Sequence, residues 1–218
     1  MKRYFPLGLD VEGCRCVVVG GGEVAARKAR ALAEHGAEVW VVSPRLGEEL
    51  QRMQREGRLH WVRRDYREGD LEGARLAVAA TGSRAVNARV AGEGKRRGVL
   101  VNVVDSPAES DFIVPAVVRR GSLWLAVSTG GKLPMLARRL REELETSYGS
   151  EYARWVEFLG EVRHRIQQQV SDSRSRRLLL EKIVYSPALD LLREGKEEEA
   201  RRLVEEILAG SPRGGGGY

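Results

Sequence analysis

The chain has 218 residues, of which 42% are hydrophobic and 31% are charged, and its formal net charge is +6. This is the composition of a globular protein, and no apolar run approaches the roughly 20 residues of a membrane helix, which excludes a helical membrane protein and predicts no membrane partner. The excess of positive charge favours an anionic partner, but no aromatic-rich RNA-binding strand or DNA-recognition helix is evident, so nucleic acid is not expected.

The first predicted elements are a strand, a tight turn, a helix and a second strand. Residues 16–19 form a short β-branched run, and three glycines follow at residues 20–22. Between residues 23 and 35 apolar side chains recur at helical spacing, and Gly36 is suited to end that helix. Residues 38–42 are again mostly β-branched and apolar, which completes a predicted βαβ unit.

The same alternation continues beyond the second strand. It predicts helices over residues 46–56 and 84–97, and strands over residues 59–62, 76–80 and 100–104. Strands that alternate with helices indicate an α/β fold with a parallel, doubly wound sheet of the Rossmann type. The sequence therefore predicts a Rossmann domain over residues 1–111.

The pattern changes after residue 111. Residues 112–118 and 123–127 are two β-rich runs separated by Arg-Arg-Gly, which is typical of a hairpin. From Pro134 onward apolar residues recur every three or four positions, which predicts helices alone. We therefore expect a β-rich middle region over residues 112–148, a C-terminal helical domain over residues 149–210 and a disordered tail over residues 211–218.

The glycine-rich turn after the first strand has the pattern Gly20-x-Gly22-x-x-Ala25. In a Rossmann fold Gly20 would permit the tight turn, Gly22 would let the backbone approach a pyrophosphate, and Ala25 would keep the helix close to the sheet. The pyrophosphate would then meet the N-terminus of the helix, where Glu23 and Val24 lie. Because the pattern stands between a predicted strand and a predicted helix, it indicates dinucleotide binding rather than a merely structural turn.

The second strand ends without the acidic residue that normally binds the ribose 2′-hydroxyl of NAD. Ser43, Pro44 and Arg45 follow it instead. Ser43 could hydrogen-bond a ribose hydroxyl, whereas Arg45 could pair with a 2′-phosphate or be a solvated residue near the start of the next helix. We predict that all three contact the cofactor, and these residues alone do not decide between NAD and NADP.

Two later strands also end in polar residues at the predicted carboxyl edge of the sheet. Thr81 follows the fourth strand and Asn102 lies in the fifth, and both are expected to line the cofactor site. Asp105 comes just after the fifth strand, close to where a nicotinamide would lie, so its carboxylate could take a proton as a hydride leaves. The alternative is that Asp105 caps a loop or a helix.

A loop of small residues precedes Pro134, which is positioned to open a helix that carries Arg138, Arg139 and Arg141. Exposed backbone N–H groups, the helix dipole and these cations would bind carboxylates or phosphates, although an ordinary capped helix with a solvated face fits the same residues. On the binding interpretation, the substrate contacts are Ser128, Thr129, Gly130, Gly131 and Arg138.

The two cysteines, at positions 14 and 16, are expected to be free thiols, since no Cys/His cluster at zinc-like spacing accompanies them. The three histidines, His35, His60 and His164, form no obvious ligand group, so no metal site is predicted. The N-terminus offers no apolar signal segment, and a cytoplasmic location is therefore expected.

Several segments resemble one enzyme family, in that family's order. They run from Val18 to Lys28, from Ala79 to Thr81, from Asn102 to Asp105, from Phe112 to Pro115, and from Ser128 to Gly131 and on to Arg138. The chain resembles, over nearly its whole length, the precorrin-2 dehydrogenase/sirohydrochlorin ferrochelatase family, which includes the N-terminal part of bacterial siroheme synthases.

The resemblance implies oxidation of precorrin-2 to sirohydrochlorin in siroheme biosynthesis, with NAD⁺ as the hydride acceptor. It also implies a homodimer: residues 112–148 would be the dimerisation region and carry the substrate loop, and together with the helical domain they would intertwine the subunits and cover the active site. Asp105 matches the family's essential aspartate, thought to act as a general base and, in bifunctional members, in metal insertion. Ser128 and Thr129 fall where family members carry residues near the tetrapyrrole.

The resemblance leaves open whether the chain also inserts Fe²⁺ or Co²⁺ into sirohydrochlorin. Because the chain ends after the helical region, methylation of uroporphyrinogen is expected to come from another protein.

Two other functions fit parts of the pattern. A non-catalytic NAD-sensing regulatory module would need the glycine turn but would have no use for a proton acceptor beside the nicotinamide. A pure sirohydrochlorin chelatase would keep Asp105 but would not require the nucleotide site. The glycine turn, Asp105 and the loop that begins at Ser128 together favour the dehydrogenase.

Overall fold

The computed structural model describes residues 3–210, and the chain divides into one unit that ends at Val114 and another that begins at Pro115. This division lies close to the predicted end of the Rossmann domain at residue 111. The predicted disordered tail, residues 211–218, lies outside the described residues.

A parallel sheet with alternating helices forms the first unit. Its elements are β1 (Arg15–Val19), α1 (Glu23–Ala33), β2 (Glu38–Val42), α2 (Glu48–Arg55), β3 (His60–Val62), β4 (Leu76–Ala79), α3 (Arg84–Arg97) and β5 (Leu100–Val103). The strand order is β3-β2-β1-β4-β5 with every pair parallel. The chain thus first adds β2 and β3 on one side of β1 and then adds β4 and β5 on the other side. This confirms the predicted α/β fold with a Rossmann-type sheet.

Helices cover both faces of this sheet, which explains why its central strands are almost continuously apolar. On one face Val18 packs with Ala25 of α1 and Leu50 of α2. On the other face Val17 packs with Val90 of α3. Each fully buried valine or leucine of this kind stabilises the fold by about 1.5–3 kcal/mol, and together they hold the carboxyl ends of the strands in fixed register.

The second unit contains a β-hairpin followed by helices. Its elements are β6 (Ala116–Arg120), β7 (Leu123–Val127), α4 (Pro134–Ser147), α5 (Glu151–Gln169), α6 (Ser173–Val184), α7 (Ala188–Arg193) and α8 (Glu197–Ala209). The two strands pair antiparallel around a turn with Gly121 at φ 57°. The predicted β-rich middle region and the predicted helices beyond Pro134 are confirmed.

The first strand of the hairpin starts later than predicted. The β-rich run was expected from residue 112, but β6 begins at Ala116, and residues 112–115 belong to no strand or helix. Pro115 has no N–H to donate to a ladder, which opposes strand pairing there. The carbonyl of Phe112 accepts a hydrogen bond from the side chain of Asn102 instead, at 2.9 Å.

The helices of the second unit enclose a core of their own. Trp155, Phe158, Val162 and Ile166 form the buried stripe of α5 and pack with Val204 of α8 and its neighbours. This spacing of three or four residues is the amphipathic pattern from which the helices were predicted. Within residues 3–210, no helix is both long and apolar enough to cross a membrane.

Candidate active site

The candidate site of the first unit is the carboxyl edge of its sheet. Parallel strands all end at the same edge, so the loops that follow β1, β2, β4 and β5 emerge side by side there. The chain reverses its direction of progress across the sheet between β1 and β4, and ligands of open α/β sheets bind in the crevice at such a point. The predicted contacts Gly20, Ser43, Thr81 and Asp105 all lie in these loops.

The first two glycines of the turn after β1 are packed against other backbone. Gly20 has φ 129°, and a Cβ there would lie 2.3 Å from the carbonyl oxygen of Ala80. A Cβ on Gly21 would lie 1.9 Å from the carbonyl oxygen of Arg45. Only glycine therefore fits at either position. The importance of Gly21 could not be predicted, because the fingerprint allows any residue there and the crowding comes from the β2–α2 loop.

Gly22 differs from these two, since no described residue other than its chain neighbours has an atom within 4 Å of a Cβ built on it. It forms the N-cap of α1 in an extended conformation, and no side chain among the described residues caps that end of the helix. The first intrahelical bond runs from the N–H of Ala26 to Gly22 at 2.9 Å, which leaves the preceding amides for another acceptor. Within the described part of the chain, the turn thus has open space and N–H groups without an acceptor, the two requirements for a pyrophosphate.

The other predicted contacts in this turn take different positions. Glu23 is exposed and Val24 is half-buried at the start of α1. Ala25 is fully buried between α1 and the sheet. This placement of Ala25 matches its predicted role of allowing close packing of helix and sheet.

The loop after β2 is held against the glycine turn. The N–H of Gly47 donates to the carbonyl of Gly21 at 2.8 Å. The Ser43 hydroxyl is buried and donates to the carbonyl of Arg45 at 2.7 Å, while Trp61 Nε1 donates to the Ser43 carbonyl at 2.9 Å. Pro44 and Arg45 are exposed. Because the single proton of the Ser43 hydroxyl is used inside the loop, this side chain could serve a ribose only as an acceptor.

Thr81, after β4, is fixed by a residue that the sequence analysis did not single out. The Thr81 hydroxyl and N–H both donate to Asn87 Oδ1, at 2.7 and 3.2 Å, and Asn87 Nδ2 donates back to the Thr81 carbonyl at 3.1 Å. Asn87 lies in α3 and is buried. The spacing of six residues between a turn threonine and a helical asparagine is too unspecific to predict this pairing.

Asn102 and Asp105 lie at the fifth strand, with opposite exposure. Asn102 is buried and uses its amide to hold the chain at Phe112, as described above. Asp105 is exposed, and it is the only non-glycine residue with positive φ, at 58°, among residues 3–210. A left-handed aspartate is uncommon and tends to occur at functional sites, where surrounding bonds hold it in place.

Those surrounding bonds come from two further residues that the sequence analysis missed. Ser110 is buried, and its hydroxyl accepts from the N–H of Val103 at 2.9 Å and lies 2.9 Å from the carbonyl of Ser106. The Asp111 carboxylate accepts from the N–H of Val101 at 2.9 Å, and the Asp111 N–H donates back to Val101 at 2.8 Å. The segment after Asp105 is thus folded back onto β5.

The predicted substrate loop lies in the second unit, before α4. The Ser128 hydroxyl accepts from the N–H of Gly130 at 3.1 Å, and the Thr129 hydroxyl accepts from the N–H of Leu133 at 3.0 Å. Gly130 and Gly131 have φ of 64° and 82°, which favours glycine at both positions. The loop is therefore a preformed turn, with Pro134 as the first residue of the helix as predicted.

The arginines of α4 are paired along the helix. Arg138 contacts Glu142 at 3.0 Å, and Arg139 contacts Glu143 at 3.0 Å. The hydrogen bond from Arg138 is the main cause of a lowered pKa at Glu142. Both pairs are exposed and therefore weak, so an anionic ligand could compete for the arginines.

Among residues 3–210, the thiols and the metal-ligating residues offer no second site. Burial raises the pKa of Cys16 to about 11, which leaves that thiol unreactive at neutral pH, and Cys14 is half-buried. In the part of the chain that the structure describes, no group of three or more His, Cys, Asp or Glu residues could hold a metal ion.

Three protein families match successive parts of the chain. Residues 7–116 match a family described as putative NAD(P)-binding, residues 120–147 match the central region of sirohaem biosynthesis proteins, and residues 151–208 match the sirohaem synthase dimerisation region. The match to the dimerisation region thus lies within the predicted helical domain, residues 149–210.

Known proteins match the chain over nearly its whole length. Siroheme synthase of Azotobacter vinelandii is 42% identical over 208 residues, which are 95% of this chain and 45% of the relative. The siroheme synthase of Chromobacterium violaceum is 40% identical over 218 residues, 99% of this chain and 46% of the relative. The chain therefore spans somewhat less than half the length of the curated relatives it matches.

A solved structure described as SirC, precorrin-2 dehydrogenase, superposes with a TM-score of 0.74 and 30% identity, covering 93% of this chain and all of that one. This coverage means that the likeness extends to both units and not only to the Rossmann part. With the matches above, this confirms the resemblance inferred from the motifs: the chain belongs to the precorrin-2 dehydrogenase and siroheme synthase family.

Proposed function

We propose that this chain is an NAD-dependent precorrin-2 dehydrogenase that oxidises precorrin-2 to sirohydrochlorin. The observation that carries the proposal is the position of Asp105, an exposed carboxylate held in a left-handed turn at the same sheet edge as the glycine turn. The structural relative described as a precorrin-2 dehydrogenase and the siroheme synthase relatives support the choice of substrate.

The glycine turn fits the dinucleotide. Gly20 lets the turn lie close to Ala80 and Gly21 lets it lie close to the β2–α2 loop, while the space around Gly22 and the uncapped start of α1 remain open for the pyrophosphate. When bound, NAD⁺ supplies the hydride acceptor. Thr81, fixed by Asn87, would present its turn to the cofactor.

Asp105 would take the proton. Conversion of precorrin-2 to sirohydrochlorin removes a hydride and a proton, and the exposed Asp105 carboxylate in the loop after β5 is the proton acceptor that we propose. A general base of this kind contributes about 10²- to 10⁴-fold to a rate. Since the turn holds Asp105 without help from substrate, the base would be preorganised.

The second unit would supply contacts to the carboxylates of the tetrapyrrole. Ser128, Thr129, Gly130 and Gly131 form the preformed turn, and Arg138 is exposed one turn into α4. The overall charge of +6 would raise the local concentration of such a polyanion. Metal insertion by the same chain, with Fe²⁺ or Co²⁺ as a second substrate, stays a prediction of the resemblance.

A homodimer in the cytoplasm is the setting we propose. The match to a dimerisation region supports the assembly. The second unit also exposes large apolar side chains, among them Trp124 at 49%, Leu133 at 50% and Met135 at 79%, which is typical of surfaces that bind another protein.

An anaerobic assay of the purified protein with precorrin-2 and NAD⁺ tests the proposal. We expect NADH to form, Asp105→Asn to lower kcat at least about 100-fold, and NAD⁺ affinity to stay unchanged. Asp65→Asn removes another exposed carboxylate of the same unit and serves as the matched control. Sirohydrochlorin with Fe²⁺ or Co²⁺ in the same cuvette tests metal insertion.

The outcomes separate the alternatives. If the wild-type protein binds NAD⁺ but makes no NADH, the regulatory module replaces the dehydrogenase. If it inserts metal without binding NAD⁺, the pure chelatase does. If Asp105→Asn keeps the full rate, the proposed role of Asp105 is wrong while the activity stands.

A further inference from the structure

The loop after β2 lacks the negative charge that makes a Rossmann site selective for NAD. An acidic residue at the end of the second strand normally binds the 2′-hydroxyl of the adenosine ribose and repels a 2′-phosphate. Here β2 ends at Val42, and Ser43, Pro44 and Arg45 follow. The repulsion that would exclude NADP is therefore missing from this loop.

The structure fixes the backbone of Arg45 beside the glycine turn. The carbonyl oxygen of Arg45 would lie 1.9 Å from a Cβ on Gly21, so the two backbones are in direct contact. Two hydrogen bonds hold this contact, from Gly47 N–H to Gly21 at 2.8 Å and from the Ser43 hydroxyl to Arg45 at 2.7 Å. The Arg45 side chain thus starts next to the turn that would hold the pyrophosphate, within reach of the adjoining ribose.

The charge of Arg45 is also available. Arg45 is exposed, and its guanidinium makes no hydrogen bond or ion pair with another described residue. Of the two acids at the start of α2, Glu49 is bonded to Arg30 at 2.7 Å and Glu48 is exposed. An unpaired guanidinium presents a planar set of donors suited to a phosphate dianion.

We propose that Arg45 is a specificity-determining residue that binds the 2′-phosphate of NADP, so that this site accepts NADP as well as NAD. The proposal rests on the proposed nucleotide site and deepens it. Binding is the property at issue, and Arg45 takes no part in hydride or proton transfer.

Calorimetric titration of the purified chain tests the proposal without turnover. The ligands are NAD⁺, NADP⁺ and the fragments AMP and 2′,5′-ADP, which differ by the 2′-phosphate alone. The variants are Arg45→Ala, Arg45→Lys and the control Arg55→Ala, which removes an exposed cation at the far end of α2. Circular dichroism checks that each variant is folded, which is expected because both arginines are exposed.

We expect the wild-type protein to bind NADP⁺ within about tenfold of NAD⁺. Arg45→Ala should weaken NADP⁺ and 2′,5′-ADP about 5- to 20-fold and NAD⁺ and AMP less than about twofold, as for one charge-assisted hydrogen-bonded pair near the surface. Arg45→Lys should retain part of the affinity that the 2′-phosphate contributes, and added salt should reduce that contribution. Arg55→Ala should change neither ligand class.

Three results would overturn the proposal. In the first, the wild-type protein binds NAD⁺ but binds NADP⁺ more than about 100-fold more weakly, because some other part of the site then excludes the 2′-phosphate. In the second, Arg45→Ala lowers the affinity for NAD⁺ and the affinity for NADP⁺ by the same factor. The third is an equal effect of Arg55→Ala, which would assign the preference to net charge. If neither dinucleotide binds at all, the proposed function fails, and this outcome is distinct from the other three.

Discussion

The same substitution at two neighbouring glycines of the β1–α1 turn should have different effects: Gly21→Ala should lower stability, and Gly22→Ala should lower NAD⁺ affinity. In Gly21→Ala the new Cβ would lie 1.9 Å from the Arg45 carbonyl oxygen and 2.5 Å from the Ser43 hydroxyl oxygen. An ordinary carbon–oxygen contact is about 3.3 Å or longer, so the β2–α2 loop must withdraw by more than about 1 Å. In Gly22→Ala the new Cβ has no atom of another described residue within 4 Å, apart from its chain neighbours.

The magnitude for Gly21→Ala follows from the bonds that this withdrawal disturbs. Overpacking of a tight contact costs about 1–3 kcal/mol, and loss of the Gly47 to Gly21 hydrogen bond adds about 1 kcal/mol. We therefore expect the free energy of unfolding to fall by about 2–4 kcal/mol. The backbone of Gly21 has no positive φ, so the whole effect is steric.

Gly22→Ala should leave the fold nearly unchanged. Its φ of −88° and ψ of −172° suit alanine, and the loss of glycine at an N-cap costs less than about 1 kcal/mol. The methyl group would, however, occupy the space through which the pyrophosphate approaches. We expect NAD⁺ affinity to fall at least about tenfold with stability retained.

Urea unfolding measures the stability of both variants, and calorimetric titration with NAD⁺ measures their affinity. If Gly21→Ala is as stable as the wild type, the close contact with Arg45 does not exist in solution. If Gly22→Ala binds NAD⁺ normally, the pyrophosphate does not pass over this glycine and the nucleotide site has been placed wrongly.

Further predictions concern the bonds around the site and the rest of the first unit. Ser110→Ala should lower stability by about 1–3 kcal/mol and reduce kcat more than it raises KM, measured by urea unfolding and the NADH assay, because a buried hydroxyl that holds the turn after β5 is lost. Asp70→Asn should lower stability by about 2–4 kcal/mol, since Asp70 forms two bonds with Arg64 at 2.6 and 2.8 Å. Burial alone would raise the pKa of Asp70, but these bonds outweigh burial and the pKa is lowered. The ionised carboxylate therefore stabilises the fold fully above its unfolded pKa of about 4, and this stabilisation is lost as the pH falls through the folded pKa. In Asp70→Asn the free energy of unfolding should consequently depend less steeply on pH in acid. An alkylating reagent at neutral pH, followed by peptide mapping, should label Cys14 well before Cys16; equal labelling would contradict the buried position of Cys16.

Local sequence was sufficient to predict the elements of the sheet. β1 and β2 are β-branched runs bounded by glycine, and α1 has its apolar residues at helical spacing, so each carries its own signal. The start of β6 was wrong because Pro115 stands inside an otherwise β-rich run. The ladder that would have included residues 112–115 is replaced by the bond from Asn102, which no local pattern indicates.

The site was predicted less completely, because a polar residue in sequence does not reveal whether it turns outward or inward. Ser43 and Asn102 were predicted as cofactor contacts, and the structure places both in internal hydrogen bonds. Their contact with NAD stays a prediction. Gly21, Asn87 and Ser110 were missed because each acts on a segment that only the folded chain brings near.

The bonds that position Asp105 also solve a structural problem of the sheet. β5 is an edge strand, and unpaired N–H groups along an edge are open to pairing with other chains. The Ser110 hydroxyl takes the N–H of Val103 and the Asp111 carboxylate takes that of Val101, so side chains substitute for a further strand. To bring these two residues back along β5, the chain must reverse within a few residues, and it does so with Asp105 in the left-handed region. Protection of the edge and orientation of the carboxylate therefore depend on the same bonds, and a change that weakens one is expected to weaken the other.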